Sequence, residues 1–197
     1  MGRKKQGVFV EAYEPENCID SRVRQLYFNA LESTAVRKDD VPQVSTKNLV
    51  TPKFYLFEKG LGFYHPSLHS PILVISGKTE SDVKETFVYI QDKLEHLFHN
   101  DETVDSGVSS TPGRKPLAEY GQFETPHFVE ADHNQQMKSK IKKFLKTLGS
   151  YNLALEQQFE LACSIDSNYF PVRSADQRGK KPSKKKPKKK SSKDIPF

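Results

Sequence analysis

The stretch that decides the fold is Ile72-Leu73-Val74-Ile75-Ser76-Gly77, which is followed by Lys78-Thr79 and a long periodic segment. Four consecutive apolar residues, mostly β-branched, predict a strand that is buried on both of its faces. Ser76-Gly77 predicts a tight turn into a helix. Behind the turn, apolar residues recur at the spacing of a helix with one buried face; they are Val83, Phe87, Ile90, Leu94, Leu97 and Phe98.

Weaker signals on either side of this unit add further elements. Residues 8–13 and 54–57 are short β-prone runs, and an amphipathic helix follows the first of them. Residues 122–131 form a candidate strand that Pro126 restricts to a sheet edge. The order up to residue 98, β-α-β-β-α, predicts an α+β fold with a small mixed sheet of the split-βαβ, ferredoxin-like type and helices on one face.

A C-terminal helical hairpin is predicted after this body. Its first helix spans about residues 132–148, where Gly149 is placed to end it in the left-handed conformation. Ser150 then caps the second helix. We therefore divide the chain into an α+β body (1–98), a flexible linker or loop (99–116), an edge strand with a helical hairpin packed on the body (117–170), and a disordered lysine-rich tail (171–197).

Charge is distributed unevenly along the chain. The 197 residues contain 31 Lys and Arg and 25 Asp and Glu, a net charge of +6. Residues 173–197 hold 11 of the bases and two of the acids, which leaves 20 bases and 23 acids in residues 1–172. The high isoelectric point therefore belongs to the tail, and this excludes a uniformly basic nucleic-acid-binding protein. The isolated Cys18 and Cys163 indicate a reducing, intracellular compartment.

The lysine clusters of the tail are the strongest functional signal. Pro and Ser interrupt them, so the segment is expected to stay extended, as a nuclear-import signal or an electrostatic arm on nucleic acid requires. A tail that only aids solubility is the alternative. The candidate residues for import and nucleic-acid contact are Lys180, Lys181, Lys184, Lys185, Lys186, Lys188, Lys189, Lys190 and Lys193.

A second basic feature lies on the helix predicted at 132–148. Opposite its apolar residues it carries the candidate nucleic-acid contacts Lys138, Lys142, Lys143 and Lys146. The interpretation we favour is the solvated side of an amphipathic helix. If the tail contacts nucleic acid, we expect this helix to be the folded part of the protein that contacts it as well.

A third candidate is a weak anion site at Lys78, Thr79 and Ser81. The Gly-Lys-Thr sequence between strand and helix resembles half of a phosphate-binding loop, but Ile72 stands where that loop requires its first glycine. A nucleoside-triphosphate site is therefore excluded, and helix amides with Lys78 remain as a site for one phosphate. We favour the alternative, an ordinary helix cap.

Other chemistry has little support in the sequence. The pairs His65/His69 and His96/His99 form an incomplete zinc pattern, so no metal is predicted. No catalytic motif is found, so an enzyme is the less favoured class, and no cofactor is predicted. No membrane association is expected, because no apolar run approaches the roughly 20 residues of a membrane helix.

Together these features predict a non-enzymatic adaptor or complex subunit in the nucleus or nucleolus. Its α+β body would bind a protein partner, and its tail would serve import and non-specific nucleic-acid contact. The alternative is an RNA- or DNA-binding module that reads nucleic acid through its sheet or through the helix at 138–146. An enzyme with an unrecognised site is the third hypothesis.

Overall fold

The computed structural model describes residues 7–18, 20–40, 52–66, 71–100, 115–133 and 135–165. These residues form an α+β fold in which helices pack on a six-stranded antiparallel sheet. The predicted α+β class is confirmed. The predicted linker lies largely outside the described residues, and the tail lies entirely outside them, so both stay predictions.

The sheet has the strand order β2-β3-β4-β5-β1-β6. Its strands are β1 (Phe9–Pro15), β2 (Arg37–Asp40), β3 (Lys53–Leu56), β4 (Gly60–His65), β5 (Ile72–Gly77) and β6 (Phe128–Glu130). The helices are α1 (Ser21–Thr34), α2 (Glu80–Asn100), α3 (Gln135–Ser150) and α4 (Leu155–Cys163), with a 3-10 helix at Leu117–Tyr120.

The sheet is not mixed as predicted, because every pairing among the described residues is antiparallel. The turn at 57–59 that joins β3 to β4 is far too short for the crossover that a parallel pair needs. Strand β5 lies between β1 and β4 and is antiparallel to both. The ferredoxin-like type itself stays a prediction.

The first face of the sheet is covered by α1 and α2. Ile90 and Leu94 of α2 are fully buried in one cluster with Leu73 and Ile75 of β5. Phe87 is half-buried and stacks on Tyr13 of β1, with the ring centroids 4.0 Å apart. The helix predicted behind the decisive stretch is therefore found, with its apolar face on the strand as expected.

The second face is covered by α3 and α4, so helices lie on both faces and not on one. Ile72 and Val74 of β5 point to this side and are buried with Ile141 and Leu145 of α3 and Phe159 of α4. The physical reason lies in the apolar run of β5. Because successive side chains of a strand point to opposite faces of the sheet, an unbroken apolar run places apolar side chains on both faces, and helices must bury both.

The predicted end of the first hairpin helix is wrong. Gly149 is helical and α3 continues through Ser150, while Asn152 takes the left-handed conformation with φ 55°. A Cβ added to Gly149 would lie 2.2 Å from Val8 Cγ2, so glycine is needed there for close packing and not for a turn. Ser150 does not cap α4, whose N-cap is Ala154.

The two edges of the sheet are protected in different ways. Strand β2 is an edge made of four charged residues. At the other edge, β6 pairs with β1 only at Tyr13, Glu14 and Pro15. Among the described residues, the first half of β1 therefore pairs with β5 on one side and has no strand neighbour on the other. Val10 in that half is nevertheless only 4% exposed, and the Lys142 ammonium of α3 lies 3.3 Å from the Glu11 carboxylate beside it.

Candidate functional site

The lysines predicted to contact nucleic acid and to direct import lie outside the described residues. This applies to the whole tail set, which is Lys180, Lys181, Lys184, Lys185, Lys186, Lys188, Lys189, Lys190 and Lys193. Their role stays a prediction from the sequence. The candidate sites in the described part of the chain are the lysine face of α3, the turn between β5 and α2, and the histidines.

Two of the four candidate lysines on α3 are engaged within the protein. Lys138 Nζ donates a hydrogen bond of 2.6 Å to the Ala131 carbonyl, just after β6. Lys142 Nζ pairs with Glu11 on β1, and its side chain is mostly buried. Both contacts hold α3 against the edge of the sheet. These two lysines are therefore structural in part, which the helical spacing alone does not reveal.

The other two candidates, Lys143 and Lys146, are exposed, and no described residue pairs with them. They line a shallow groove on the outer surface of α3 together with Ser139 and Thr147. The Thr147 hydroxyl donates to the Lys143 carbonyl at 2.9 Å. The groove thus presents two free ammonium groups, enough for one or two phosphate contacts and too few for sequence reading.

The turn between β5 and α2 is a helix cap. Thr79 N–H donates to Asp82 Oδ2 at 2.9 Å, and Asp82 N–H donates to Thr79 Oγ1 at 3.1 Å. This reciprocal pair satisfies the amide at the start of the helix with a carboxylate and leaves no place for an external phosphate there. Thr79 therefore acts as a helix cap, which is the alternative that we favour from the sequence.

Ser81 and Lys78 do not join Thr79 in one anion site. The Ser81 hydroxyl donates to Glu85 Oε1 at 2.9 Å, and Lys59 also pairs with the Glu85 carboxylate. The Lys59 ammonium and the Ser81 hydroxyl hold the pKa of Glu85 below its ordinary value. Lys78 is exposed and lines a different pocket, between β5 and α4.

His65 is not brought together with His96 and His99. His65 is 2% exposed in β4, on the side of the sheet that carries α4, and its ring lies 6.4 Å from that of Phe63. His96 and His99 are exposed near the end of α2, on the opposite side of the sheet. His69 lies outside the described residues. Within the described ranges, no three His, Cys, Asp or Glu side chains could together hold a metal ion.

His65 is buried without a complete set of hydrogen bonds. Its Nε2 atom has no hydrogen-bond partner, and burial lowers the pKa of the ring to about 4. The imidazole is therefore neutral at pH 7 and acts as a core residue. Nothing in the sequence distinguishes this histidine from the others, except that it extends the apolar strand Gly60–His65 by one residue.

The two cysteines are not joined in a disulfide, are partly buried and pack on opposite faces of the sheet. Burial raises the pKa of Cys18 to about 11. Since the thiolate is the reactive form, Cys18 is a poor nucleophile at neutral pH. Its position favours a packing role.

Among the described residues, neither face of the sheet is open to a ligand. Clusters of buried apolar residues lie between the strands and the helices on each side. No helix in the described part of the chain is long and apolar enough to cross a bilayer. No protein-family model, curated protein or solved structure matches this chain.

Proposed function

We propose that this protein is a non-enzymatic nuclear or nucleolar adaptor. Its α+β body binds a protein partner, and its lysine tail directs import and contacts nucleic acid without reading sequence. The observation that carries this proposal is the separation of charge: 11 bases against two acids in residues 173–197, and 20 bases against 23 acids in residues 1–172.

The physical argument follows from how phosphate backbones are bound. Lysines on phosphates release condensed counterions, and this gain needs no folded structure and no particular base. A body with a net negative charge is repelled by the same phosphates. Affinity for nucleic acid is therefore expected to reside in the tail, and specificity in contacts between the body and another protein.

The alternative, a module that reads RNA or DNA directly, has weaker support. Sheet-based RNA readers stack bases on an exposed sheet face, whereas both faces of this sheet are covered by helices. On α3, Lys138 and Lys142 are engaged with Ala131 and Glu11. What remains for this alternative is the pair Lys143 and Lys146.

A salt titration of nucleic-acid binding tests the proposal. With half of the nine tail lysines on phosphates, the slope of log affinity against log salt is expected to be roughly −3 to −4. The tail variant changes six lysines to Gln: Lys184, Lys185, Lys186, Lys188, Lys189 and Lys190. It should flatten the slope and weaken binding to all sequences alike.

The matched control is the α3 variant, Lys143→Gln with Lys146→Gln. It removes two exposed lysines by the same substitution and should change the slope by no more than about two phosphate contacts. If the α3 variant abolishes binding and the tail variant does not, the direct-reading alternative replaces the proposal. An unchanged slope in the tail variant excludes nucleic-acid contact by the tail.

The same two variants test import. Fused to a fluorescent protein, the tail variant is expected to move from nucleus to cytoplasm, while the α3 variant stays nuclear. Affinity purification of the tail variant should still recover the partner of the body, because the proposal assigns partner binding to folded residues. Nuclear accumulation of the tail variant would contradict the assignment of an import signal.

A further inference from the structure

Arg22 lies in the first turn of α1, beside the 3-10 helix at Leu117–Tyr120. Its guanidinium carbon is 4.8 Å from the centre of the Tyr120 ring. The Nε and Nη2 atoms of Arg22 are buried, and no described residue accepts a hydrogen bond from either of them. The ring attracts the charge but offers no oxygen to these N–H groups. Because a buried charged group without an acceptor is costly, Arg22 is poised to take an anionic partner.

A second arginine of the same protein shows what kind of partner fits. Arg37 also lies over an aromatic ring, with its guanidinium carbon 5.1 Å from the centre of the Phe159 ring. Its Nη1 atom is 3.4 Å from Glu160 Oε1, so a carboxylate completes this arrangement. Among the described residues, Arg22 has the ring but no such carboxylate. The comparison favours a carboxylate as the group that Arg22 binds.

The acidic residues on the segments around Arg22 have other roles. Asp20 caps α1, and its Oδ1 atom accepts from the Arg22 backbone N–H at 2.7 Å. Glu124 Oε2 accepts from the Asn17 amide at 2.9 Å. Glu119 is exposed on the 3-10 helix. These acids make the surroundings negative, which disfavours a doubly charged phosphate more than a singly charged carboxylate.

Aromatic side chains lie beside the guanidinium at the surface. The Tyr120 ring is 43% exposed, and the half-buried Phe123 ring lies 6.4 Å from it, edge-on. Leu117, on the same 3-10 helix as Tyr120, is buried in the core and anchors that helix. An exposed tyrosine beside an arginine has the composition of a protein-binding hot spot. Because the ring over the guanidinium is itself exposed, it can turn aside and admit a carboxylate.

We propose that the Arg22 surface, formed by Arg22, Tyr120 and Phe123, binds an acidic side chain of the protein partner. The guanidinium donates two charge-assisted hydrogen bonds to an Asp or Glu carboxylate, a geometry that suits arginine. Tyr120 and Phe123 pack on an apolar residue next to that acid. This inference rests on the proposed function, because it names the chemistry of the partner segment and the place on the body where it binds.

The test is a titration followed by magnetic resonance, with the full-length tail variant as parent so that tail lysines do not compete. The probe is phenylacetate, which joins a carboxylate to an aromatic ring, and the blank is its neutral analogue phenylacetamide. We expect a saturable shift of the Arg22 Nε–H resonance with phenylacetate. Phenylacetamide should bind about tenfold more weakly or worse, because it lacks the charged acceptor. Phenyl phosphate, the third probe, should bind no more tightly than phenylacetate.

Variants of two arginines assign the shift, with the Tyr120 and Phe123 amide resonances as the readout. Arg22→Gln removes the charge and should weaken phenylacetate binding about tenfold or more. Arg22→Lys keeps the charge without the planar fork and should weaken binding severalfold. Arg37→Gln is the matched control, since it removes the other ring-bound arginine, and should leave the affinity unchanged. Thermal unfolding of each variant separates loss of the surface from loss of the fold.

The partner recovered with the tail variant provides a second measurement. Adding Arg22→Gln should sharply lower the yield of that partner, whereas adding Arg37→Gln should not. An undiminished yield with Arg22→Gln overturns the proposal and leaves the proposed function standing. If the tail variant recovers no partner at all, the proposed function fails, and the phenylacetate titration still decides whether Arg22 binds carboxylates.

Three results of the titration overturn the proposal. The first is the absence of a saturable shift at Arg22, or equal affinity of Arg22→Gln and the parent. The second is tighter binding of phenyl phosphate than of phenylacetate, which would make the surface a phosphate site. The third is a large gain in phenylacetate affinity when Asp101, Glu102 and Asp105 are changed to their amides, which would show that Arg22 already takes a carboxylate of this chain.

Discussion

The two faces of the sheet are fastened to their helices in different ways. The face under α1 and α2 is rich in aromatic residues with polar ends, and its buried tyrosines are Tyr13, Tyr27, Tyr55 and Tyr64. The buried cluster under α3 and α4 contains no tyrosine and packs phenylalanine with aliphatic side chains. On the first face, the hydrogen bonds of Tyr27 supplement packing. On the second, Lys138 and Lys142 of α3 supply polar contacts.

Tyr27 shows how the first face is fastened. Its hydroxyl lies 2.6 Å from the Glu16 carbonyl and 2.9 Å from the His127 carbonyl, and its ring meets Phe128 edge-on. One side chain of α1 thus joins the end of β1 to the segment that enters β6. On the second face, Lys138 and Lys142 make the corresponding contacts between a helix and the sheet. Part of the lysine pattern on α3 is therefore structural.

The largest expected effect tests whether the two faces form one cooperative unit. Leu94→Ala in α2 and Leu145→Ala in α3 should each lower the free energy of unfolding by about 2–5 kcal/mol, because both side chains are fully buried. Both clusters share the central strands, so urea should unfold each variant in a single transition. A loss below about 0.5 kcal/mol for Leu145→Ala would show that α3 contributes little to the fold.

The second effect concerns the neutral histidine of the second face. Between pH 6.5 and 4 the unfolded chain binds a proton at His65 that the folded protein excludes, because the pKa in the fold is about 4. Stability should therefore fall as the pH falls through this range, by about 3 kcal/mol in all. His65→Leu should remove this part of the pH dependence in urea titrations at several pH values.

His133 provides the control for that measurement. Its side chain is exposed, and its hydrogen bond to Glu14 raises the pKa of the ring. A raised pKa stabilises the fold at low pH and loses this contribution as the pH rises, which is the opposite sign. The stability of His133→Gln should therefore still fall between pH 6.5 and 4, whereas this fall should be absent from His65→Leu. If the stability of both variants falls by the same amount, His65 is not the cause.

The third effect tests the directed hydrogen bonds of the first face. Tyr27→Phe keeps the ring but removes the hydroxyl that serves the Glu16 and His127 carbonyls, and should cost about 1–2 kcal/mol. Tyr13→Phe is the matched control, since the Tyr13 ring stacks on Phe87 and its hydroxyl has no described partner. Equal losses for both variants, measured by thermal unfolding, would remove the proposed difference between the faces.

The smallest effect concerns the start of α2. Thr79→Ala removes the side-chain oxygen that accepts from Asp82 N–H, and should lower the free energy of unfolding by about 1 kcal/mol. Ser81→Ala removes only an exposed bond to Glu85 and should cost less. A Thr79→Ala variant as stable as the parent in urea would show that the cap contributes nothing.

The parts of the fold that could be predicted are those with a regular apolar period. Strand β5 and helix α2 show it over many residues, and their packing follows directly. Strand β4 was missed because Gly60 and Gly62 lower its strand propensity; Gly60 is required there, since an added Cβ would lie 2.0 Å from the Ser76 carbonyl oxygen. Strand β2 was missed because all four of its residues are charged, which suits an edge.

The candidate sites were less predictable, because they depend on contacts between distant segments. The spacing of lysines on α3 cannot show that Lys142 meets Glu11, which is 131 residues away in sequence. Likewise, the pocket beside Lys78 combines the start of β1, the end of β5 and the start of α4. A cap, by contrast, is local, and the pairing of Thr79 with Asp82 follows from the sequence alone.

The contact between Lys142 and Glu11 also bears on self-association. An unpaired strand edge is a template for joining another chain, and charged side chains across it are a common defence against aggregation. Neutralising Lys142 in a lysine scan would therefore remove a charge from the outer edge of β1 and should lower the solubility of the protein. Precipitation of such a variant would then resemble a loss of nucleic-acid binding, so Lys143 and Lys146 are the informative positions for that scan.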